Sequence, residues 1–337
     1  VAETGLPITY INCVGGQDEL VFDGGSFALD THGDVLWQAG FFETPVSHFA
    51  PLPNPPPAGG GLGRGDIEQC SPIALTYQAL VLAVRDYAQH NGFKGAVLGM
   101  SGGIDSALVA AIAADALGGH NVHGYSLPSQ FTASMSREDA QLQAQRMGIH
   151  FGEIAIEPLV QAHLATLTPL FNGKAADITE ENLQSRLRGV TLMALSNKHG
   201  WLLLATGNKS EYAVGYATLY GDMCGGFAPI KDCYKTLVYE LATYRNSLAI
   251  EPVIPLRVLE REPTAELRAE QKDSDSLPAY PVLDAILQAW IERGESVTQI
   301  VVLGFEQTTV EKVVRLVTRA EFKRFQAAPG PKVTECA

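Results

Sequence analysis

An α/β chain built on a doubly wound parallel sheet is what this sequence predicts, and three observations predict it. From residue 96 onward, short apolar runs alternate with longer segments of helical period, the pattern of strands wrapped by helices on both faces. The first apolar run passes straight into a glycine-rich loop and then a helix, over Met100 to Ser106. With 337 residues, 46% of them hydrophobic, the chain can bury a sizeable core, and its length suggests two domains or one large domain with an appendage.

The elements follow in order. Residues 1 to 50 read as short strands and turns. Ile8 to Val14 is apolar-rich and ends at Gly15-Gly16, while Ser26 to Leu29 and Val35 to Ala39 flank a turn at Thr31 to Asp34. Pro51 to Pro57 and the glycines at 59 to 63 form a Pro run followed by a Gly run, which is linker chemistry over 51 to 70. Ser71 and Pro72 then open a helix whose stripe is Ile73, Tyr77, Leu80, Val81, Val84 and Ala88, with Gly92 as its stop. Ala96 to Met100 is a buried strand, and Asp105 to Leu117 a helix stopped by Gly118-Gly119. Val122 to Leu127 is a strand, and Ser136 to Met147 a helix opened by a Ser136/Asp139 capping box. Phe151 to Ile156 is a strand, Thr179 to His199 a long helix, and Trp201 to Thr206 a fourth strand. In such sheets ligands bind beyond the carboxyl ends of the strands.

Composition narrows the function. A net charge of −13 without any basic run argues against nucleic-acid or anionic-membrane surfaces. No 18-residue apolar stretch exists to span a bilayer. The five cysteines, Cys13, Cys70, Cys224, Cys233 and Cys336, are odd in number and lack zinc spacing, which suits a reducing cytoplasm. Val1 to Tyr10 is not built like a signal peptide, and without an initiator Met the chain is expected to be a fragment or a processed product.

The loop Met100-Ser101-Gly102-Gly103-Ile104-Asp105-Ser106 is where an anion should sit. The following helix presents unpaired N–H groups and the positive end of its dipole. Glycines let backbone amides approach phosphate oxygens, the serines add hydroxyls, and Asp105 offers a hard oxygen to magnesium. Neither GxxxxGK[ST] nor GxGxxG is present. A plain glycine turn between strand and helix is the competing reading.

This loop resembles the one that opens the fold of the N-type ATP pyrophosphatases, the adenine-nucleotide α-hydrolase-like, Rossmann-like group. Downstream, Glu181 to Arg188, Ala205 to Glu211, Gly215 to Asp222, Pro229 to Thr236, Pro263 to Leu267, Asp273 to Tyr280 and Glu321 to Arg324 resemble the NAD synthetases. Tyr10 to Ser26 is similar to the closing strands of the nitrilase-like glutaminase domain found ahead of the synthetase in glutamine-dependent members. The resemblance therefore implies a partial nitrilase-like α/β segment over 1 to 50, a linker over 51 to 70 and a synthetase domain over 71 to 337. The amidase's catalytic Glu, Lys and Cys precede the matched stretch in the family, and Cys13 does not match the nucleophile.

The implied reaction is amidation of deamido-NAD to NAD. The carboxylate attacks the α-phosphorus of ATP, pyrophosphate leaves, and ammonia (or glutamine-derived nitrogen) displaces AMP from the acyl-adenylate. By resemblance Gly99, Met100, Ser101, Gly102, Gly103, Ile104, Asp105 and Ser106 hold ATP, together with Thr206, Lys235 and Thr264. Asn182, Glu211, Tyr216, Ala217, Thr218, Leu219 and Lys323 match deamido-NAD contacts, and Asp105 and Glu211 match magnesium ligands. Thr264 stands where the family usually has Ser. Asp222 is the candidate to orient or deprotonate incoming ammonium. Arg186 and Arg188, at i and i+2, should point different ways, and Tyr216 and Tyr220 would pack together if their segment were helical. At least a dimer is implied. Another ATP pyrophosphatase ligase and an inactive nucleotide-binding fragment are the alternatives.

Overall fold

The computed structural model describes residues 1, 5–43, 71–268 and 271–335. The expected Pro/Gly linker over 51 to 70, Cys70 and Cys336 lie outside the described residues.

Five short strands come first: β1 (Ile8–Tyr10), β2 (Val14–Gln17), β3 (Leu20–Asp23), β4 (Phe27–Leu29) and β5 (Val35–Gln38). They form an antiparallel sheet in the order β1-β4-β5 and a separate β2–β3 hairpin. The expected turn between β4 and β5 is held by Asp30, whose carboxylate accepts the N–H groups of His32 and Asp34. Gly15-Gly16 does not end a strand as expected; it lies inside β2. Its small residues let the hairpin backbone lie on a helix, where a Cβ on Gly16 would meet the Ala83 backbone at 3.4 Å. The Gly16 N–H donates to the Asp86 carboxylate at 2.7 Å.

That helix is α1 (Pro72–His90), capped as predicted by the Ser71 hydroxyl with Pro72 in its first turn. Then follow β6 (Ala96–Gly99), α2 (Ile104–Leu117), β7 (Val122–Ser126), α3 (Ser134–Met147), β8 (His150–Glu153), α4 (Glu157–Leu167), α5 (Ile178–His199) and β9 (Leu202–Leu203). The chain continues through α6 (Lys209–Val214), α7 (Lys235–Ser247), α8 (Leu256–Glu260), α9 (Tyr280–Leu287), α10 (Val297–Val302), α11 (Gln307–Arg319) and α12 (Glu321–Arg324). No helix among the described residues is long and apolar enough to cross a membrane.

The second sheet is parallel, in the order β8-β7-β6-β9. Strand side chains alternate between its faces. Ala96, Leu98, Leu202 and Leu204 enter a core with residues of α1, α2 and α7. Val97 and Leu203 enter the opposite core with Val160 of α4 and Leu187 and Leu192 of α5. Both faces are covered, so the strands read as continuous apolar runs. A third cluster joins α9, α10 and α11 to Ala213 and Val214 of α6.

Two elements depart from expectation. The fourth strand shrinks to Leu202–Leu203, extended only by a parallel bridge between Leu204 and Phe227. Helix α3 starts earlier than predicted and Ser136 does not cap it. The Ser136 hydroxyl donates to Glu266, and Asp139 accepts from Arg257, so distant partners override the local box.

Candidate active site at the switch point of the sheet

Successive strands β6, β7 and β8 step one way across the sheet, and β9 lies on the other side of β6. The reversal opens a crevice at the carboxyl ends of β6 and β9, where doubly wound sheets take their ligands. A cleft of about 790 Å³, counting its open mouth, lies there. It is lined by Ser101, Gly103, Ile104, Asp105 and Ser106 after β6, and by Thr206, Gly207 and Glu211 after β9.

The loop after β6 is braced internally. The Ser101 and Ser106 hydroxyls are 3.1 Å apart, the Ser106 hydroxyl donates to the Gly103 carbonyl at 3.0 Å, and the Gly103 N–H donates to the Ser101 hydroxyl. Gly102 has φ +77, and a Cβ there would stand 2.2 Å from the Ser136 carbonyl oxygen. The glycine is therefore required by the close passage of α3. Gly99, Met100 and Gly102 support the loop from behind, and Met100 is fully buried.

The opposite wall carries the charge. Asn208 caps α6 through a reciprocal box with Glu211, and its side-chain amide donates to Asp105 at 2.8 Å. Lys235, 1% exposed, reaches both Asp105 and Glu211 with its ammonium. It lies behind the carboxylates and does not line the cleft. Asp273 accepts hydrogen bonds from the Tyr216 and Tyr280 hydroxyls. Burial, with Asp105 and Asp273 nearby, pushes the Glu211 carboxyl well up against the pull of Lys235. Against the cost of burial, Asp105 first, then Glu211 and Asp273, hold Lys235 protonated. Two carboxylates thus share one ammonium, with Asp273 nearby.

The third wall is the segment 215 to 222. Lys323 donates to the Gly215 and Ala217 carbonyls, both at 2.7 Å. The Thr218 hydroxyl donates to Asn182, the Thr218 N–H donates to Asp222, and the Asp222 N–H donates to Ser185. Tyr216, Ala217 and Asp222 line the cleft; Asn182, Thr218, Leu219 and Lys323 shape the segment that presents them. The segment is not helical, so Tyr216 and Tyr220 do not pack as a helical pair, and Tyr220 is exposed. Arg186 and Arg188 do diverge, donating to the Leu219 and Leu127 carbonyls. Asp222 opens to cleft water but is ringed by protein, whose burial pushes its carboxyl up to about 6 against the Thr218 hydrogen bond and Lys323.

Thr264 lines the cleft, and beside it are three residues whose place there the sequence does not single out: Arg261, Glu262 and Asp273. Arg261 donates to the Ser136 hydroxyl at 2.7 Å and to the Gly102 carbonyl at 3.2 Å. Asp273 opens a motif that was recognised; Arg261 stands just before one, and that adjacency was its only signal.

An open parallel sheet with a glycine loop at its reversal is the architecture of nucleotide-binding α/β proteins. Within that class, the chain belongs to the NAD synthase family, whose model matches residues 76–327. The glutamine-dependent NAD(+) synthetase of Acinetobacter baylyi is 52% identical over 341 residues, covering 98% of this chain and 60% of that protein. The solved glutamine-dependent NAD+ synthetase from Acinetobacter baumannii, in complex with ADP, is 47% identical with a TM-score of 0.69, covering 99% of this chain and 60% of that one. An NMN synthetase from Francisella tularensis is 26% identical with a TM-score of 0.65, covering 76% of this chain and 96% of its own. The chain spans about three-fifths of the length of the curated relatives it matches.

Proposed function

We propose that this chain catalyses ATP-dependent amidation of deamido-NAD to NAD through an acyl-adenylate, releasing pyrophosphate and AMP. The observation that carries the reading is the convergence at the sheet reversal of a glycine loop at a helix start and the Asp105–Glu211–Lys235 charge cluster. The ADP complex of the Acinetobacter baumannii relative supports ATP as the nucleotide.

The work of such a site is positioning and charge stabilisation. The loop from Ser101 to Ser106, with the first-turn amides of α2, cradles the phosphates, and Thr206, Thr264 and Arg261 bracket them. Lys235 holds Asp105 and Glu211 in place through its ammonium. Asp105 and Glu211 offer hard carboxylate oxygens at the mouth of the phosphate loop, and these two residues would hold a magnesium ion. When bound, that ion would neutralise the phosphates. Tyr216 and Ala217 face the deamido-NAD, on a wall kept in shape by Asn182, Thr218, Leu219 and Lys323. Asp222, ionised above about pH 6, receives a proton from ammonium, so that neutral ammonia attacks the acyl carbon.

The domain reading is part of the proposal: a nitrilase-like segment over 1 to 50, a linker over 51 to 70 and the synthetase over 71 to 337. The alignment with the longer relatives, which takes in 98% of the chain, supports the first part. A cytoplasmic enzyme, at least dimeric, is the setting that agrees with the family resemblance. The test is NAD formation by the 337-residue polypeptide with ATP, magnesium and deamido-NAD. Ammonia should support turnover and glutamine should not. Amidation of nicotinate mononucleotide instead would shift the reading toward the NMN synthetase neighbour, and neither product would refute it.

A further inference from the structure

We propose that Asp232, buried behind the cleft, is a positioning residue that fixes the Thr206 to Glu211 turn by clasping Val333, Thr334 and Lys209 around itself. The inference rests on the function proposed above, in which that turn faces ATP.

Asp232 is 3% exposed. Its Oδ2 accepts the N–H groups of Val333 and Thr334, both at 2.7 Å. The Thr334 hydroxyl donates to the same carboxylate at 2.8 Å. Its Oδ1 pairs with the Lys209 ammonium at 2.8 Å. Lys209 is the first residue of α6 and also pairs with Glu292. It follows directly on Asn208, whose side chain holds Asp105, and stands two residues before Glu211.

The C-terminal segment braces the other end of the turn independently. The Ala228 N–H donates to the Pro329 carbonyl at 2.8 Å. Ala328 packs with Ala228 and with Ala205, the residue before Thr206. A Cβ on Gly330 would lie 2.2 Å from the Ala228 carbonyl oxygen, so the two backbones run in close contact. One strap thus supports both ends of a turn whose face is the cleft. A buried carboxylate with this many donors holds them in one arrangement, because an unpaired donor or charge in that place is costly. The Asp222 wall hangs instead on Ser185, Asn182 and Lys323, so the clasp acts on the nucleotide side alone.

Asp232→Asn, Thr334→Val and the double variant Asp232→Asn/Lys209→Met test this in the full 337-residue chain. Steady-state kinetics, Mg-ATP calorimetry and thermal melting are read together. Asp232→Asn should lower kcat about 10–100-fold and raise KM for ATP while KM for ammonia stays within about twofold, since small misplacements are that costly. Thr334→Val should show the same split more weakly, and adding Lys209→Met should deepen the loss without changing the split, because the lysine also pairs with Glu292. Unchanged kcat in the single variants, or all constants falling in proportion to folded fraction, overturns the proposal. If Asp232→Asn does not fold, Thr334→Val decides by the same split. If the unaltered chain makes no NAD, the functional reading fails by itself. The clasp is then judged by calorimetry: Mg-ATP affinity about tenfold weaker in the variant supports it, and unchanged affinity rejects it.

Discussion

Gly102→Ala is the most direct trial of the phosphate loop. The substitution asks a residue with a Cβ to hold φ +77, which costs about 1–2 kcal/mol. It also places that Cβ 2.2 Å from the Ser136 carbonyl oxygen and 2.7 Å from the carbonyl carbon, where ordinary contact begins at 3.4 Å. Both clashing groups are backbone, so no side chain can swing away. Helix α3 must retreat by about an ångström, and overpacking of this kind adds about 1–3 kcal/mol. The retreat also strains the Ser136 hydroxyl bonds to Glu266 and Arg261. The sum is a loss of about 2–5 kcal/mol. Gly92→Ala is the internal control, because Gly92 has φ +70 with nothing within 4 Å of its would-be Cβ. It should cost only the backbone term, about 1–2 kcal/mol. Urea unfolding of the two variants measures both losses, and Mg-ATP calorimetry should show weaker binding for Gly102→Ala only. Equal losses would refute the claim that α3 dictates this glycine.

Lys235→Met strands Asp105 and Glu211 without their shared cation, and unfolding in urea should show about 3–5 kcal/mol lost. Added magnesium should restore part of it. Arg261→Met should weaken Mg-ATP binding about tenfold, the worth of one charge-assisted contact, as read by calorimetry. Asp222→Asn keeps an acceptor for the Thr218 N–H and removes the charge. The unaltered chain should gain turnover as pH rises through about 6, while the variant should lack that rise and be about 100-fold slower with ammonia. Stability moves oppositely. Because the folded carboxyl titrates higher than the unfolded one, its contribution is full below about pH 4 and is lost as pH passes about 6. Cleft water screens the group, so urea titrations at pH 4 and 8 should reveal only about 1 kcal/mol of pH-dependent loss that the Asn variant lacks.

The β6–loop–α2 unit was legible because an apolar run, a glycine pair and a helix in that order leave few alternatives. Asp105, Ser106, Thr206 and Thr264 line the cleft, each next to a strand end or a motif legible in the sequence. Lys235 was legible as a residue but not as a partner. A lysine at a helix start looks the same whether it faces phosphate or carboxylate, and Asp105, 130 positions away, decides. Ser136 shows the converse failure. Its local pattern is a sound capping box, yet Glu266 and Arg261 occupy its hydroxyl. Arg261 was missed because its cleft position comes from the fold alone.

The β2–β3 hairpin belongs by sequence to the amino-terminal segment, yet it packs with the rest of the molecule. Gly16 is tied to Asp86, Val21 leans on the main core, and the Lys332 N–H donates to the Glu19 carbonyl. A gene cut at the proline-rich stretch would therefore not separate two independent bodies. A polypeptide beginning at Ser71 would bare a strip of α1 and lose the Glu19 anchor of Lys332, inviting self-association during expression. Engineering that seeks a minimal catalyst should keep the opening 43 residues in place.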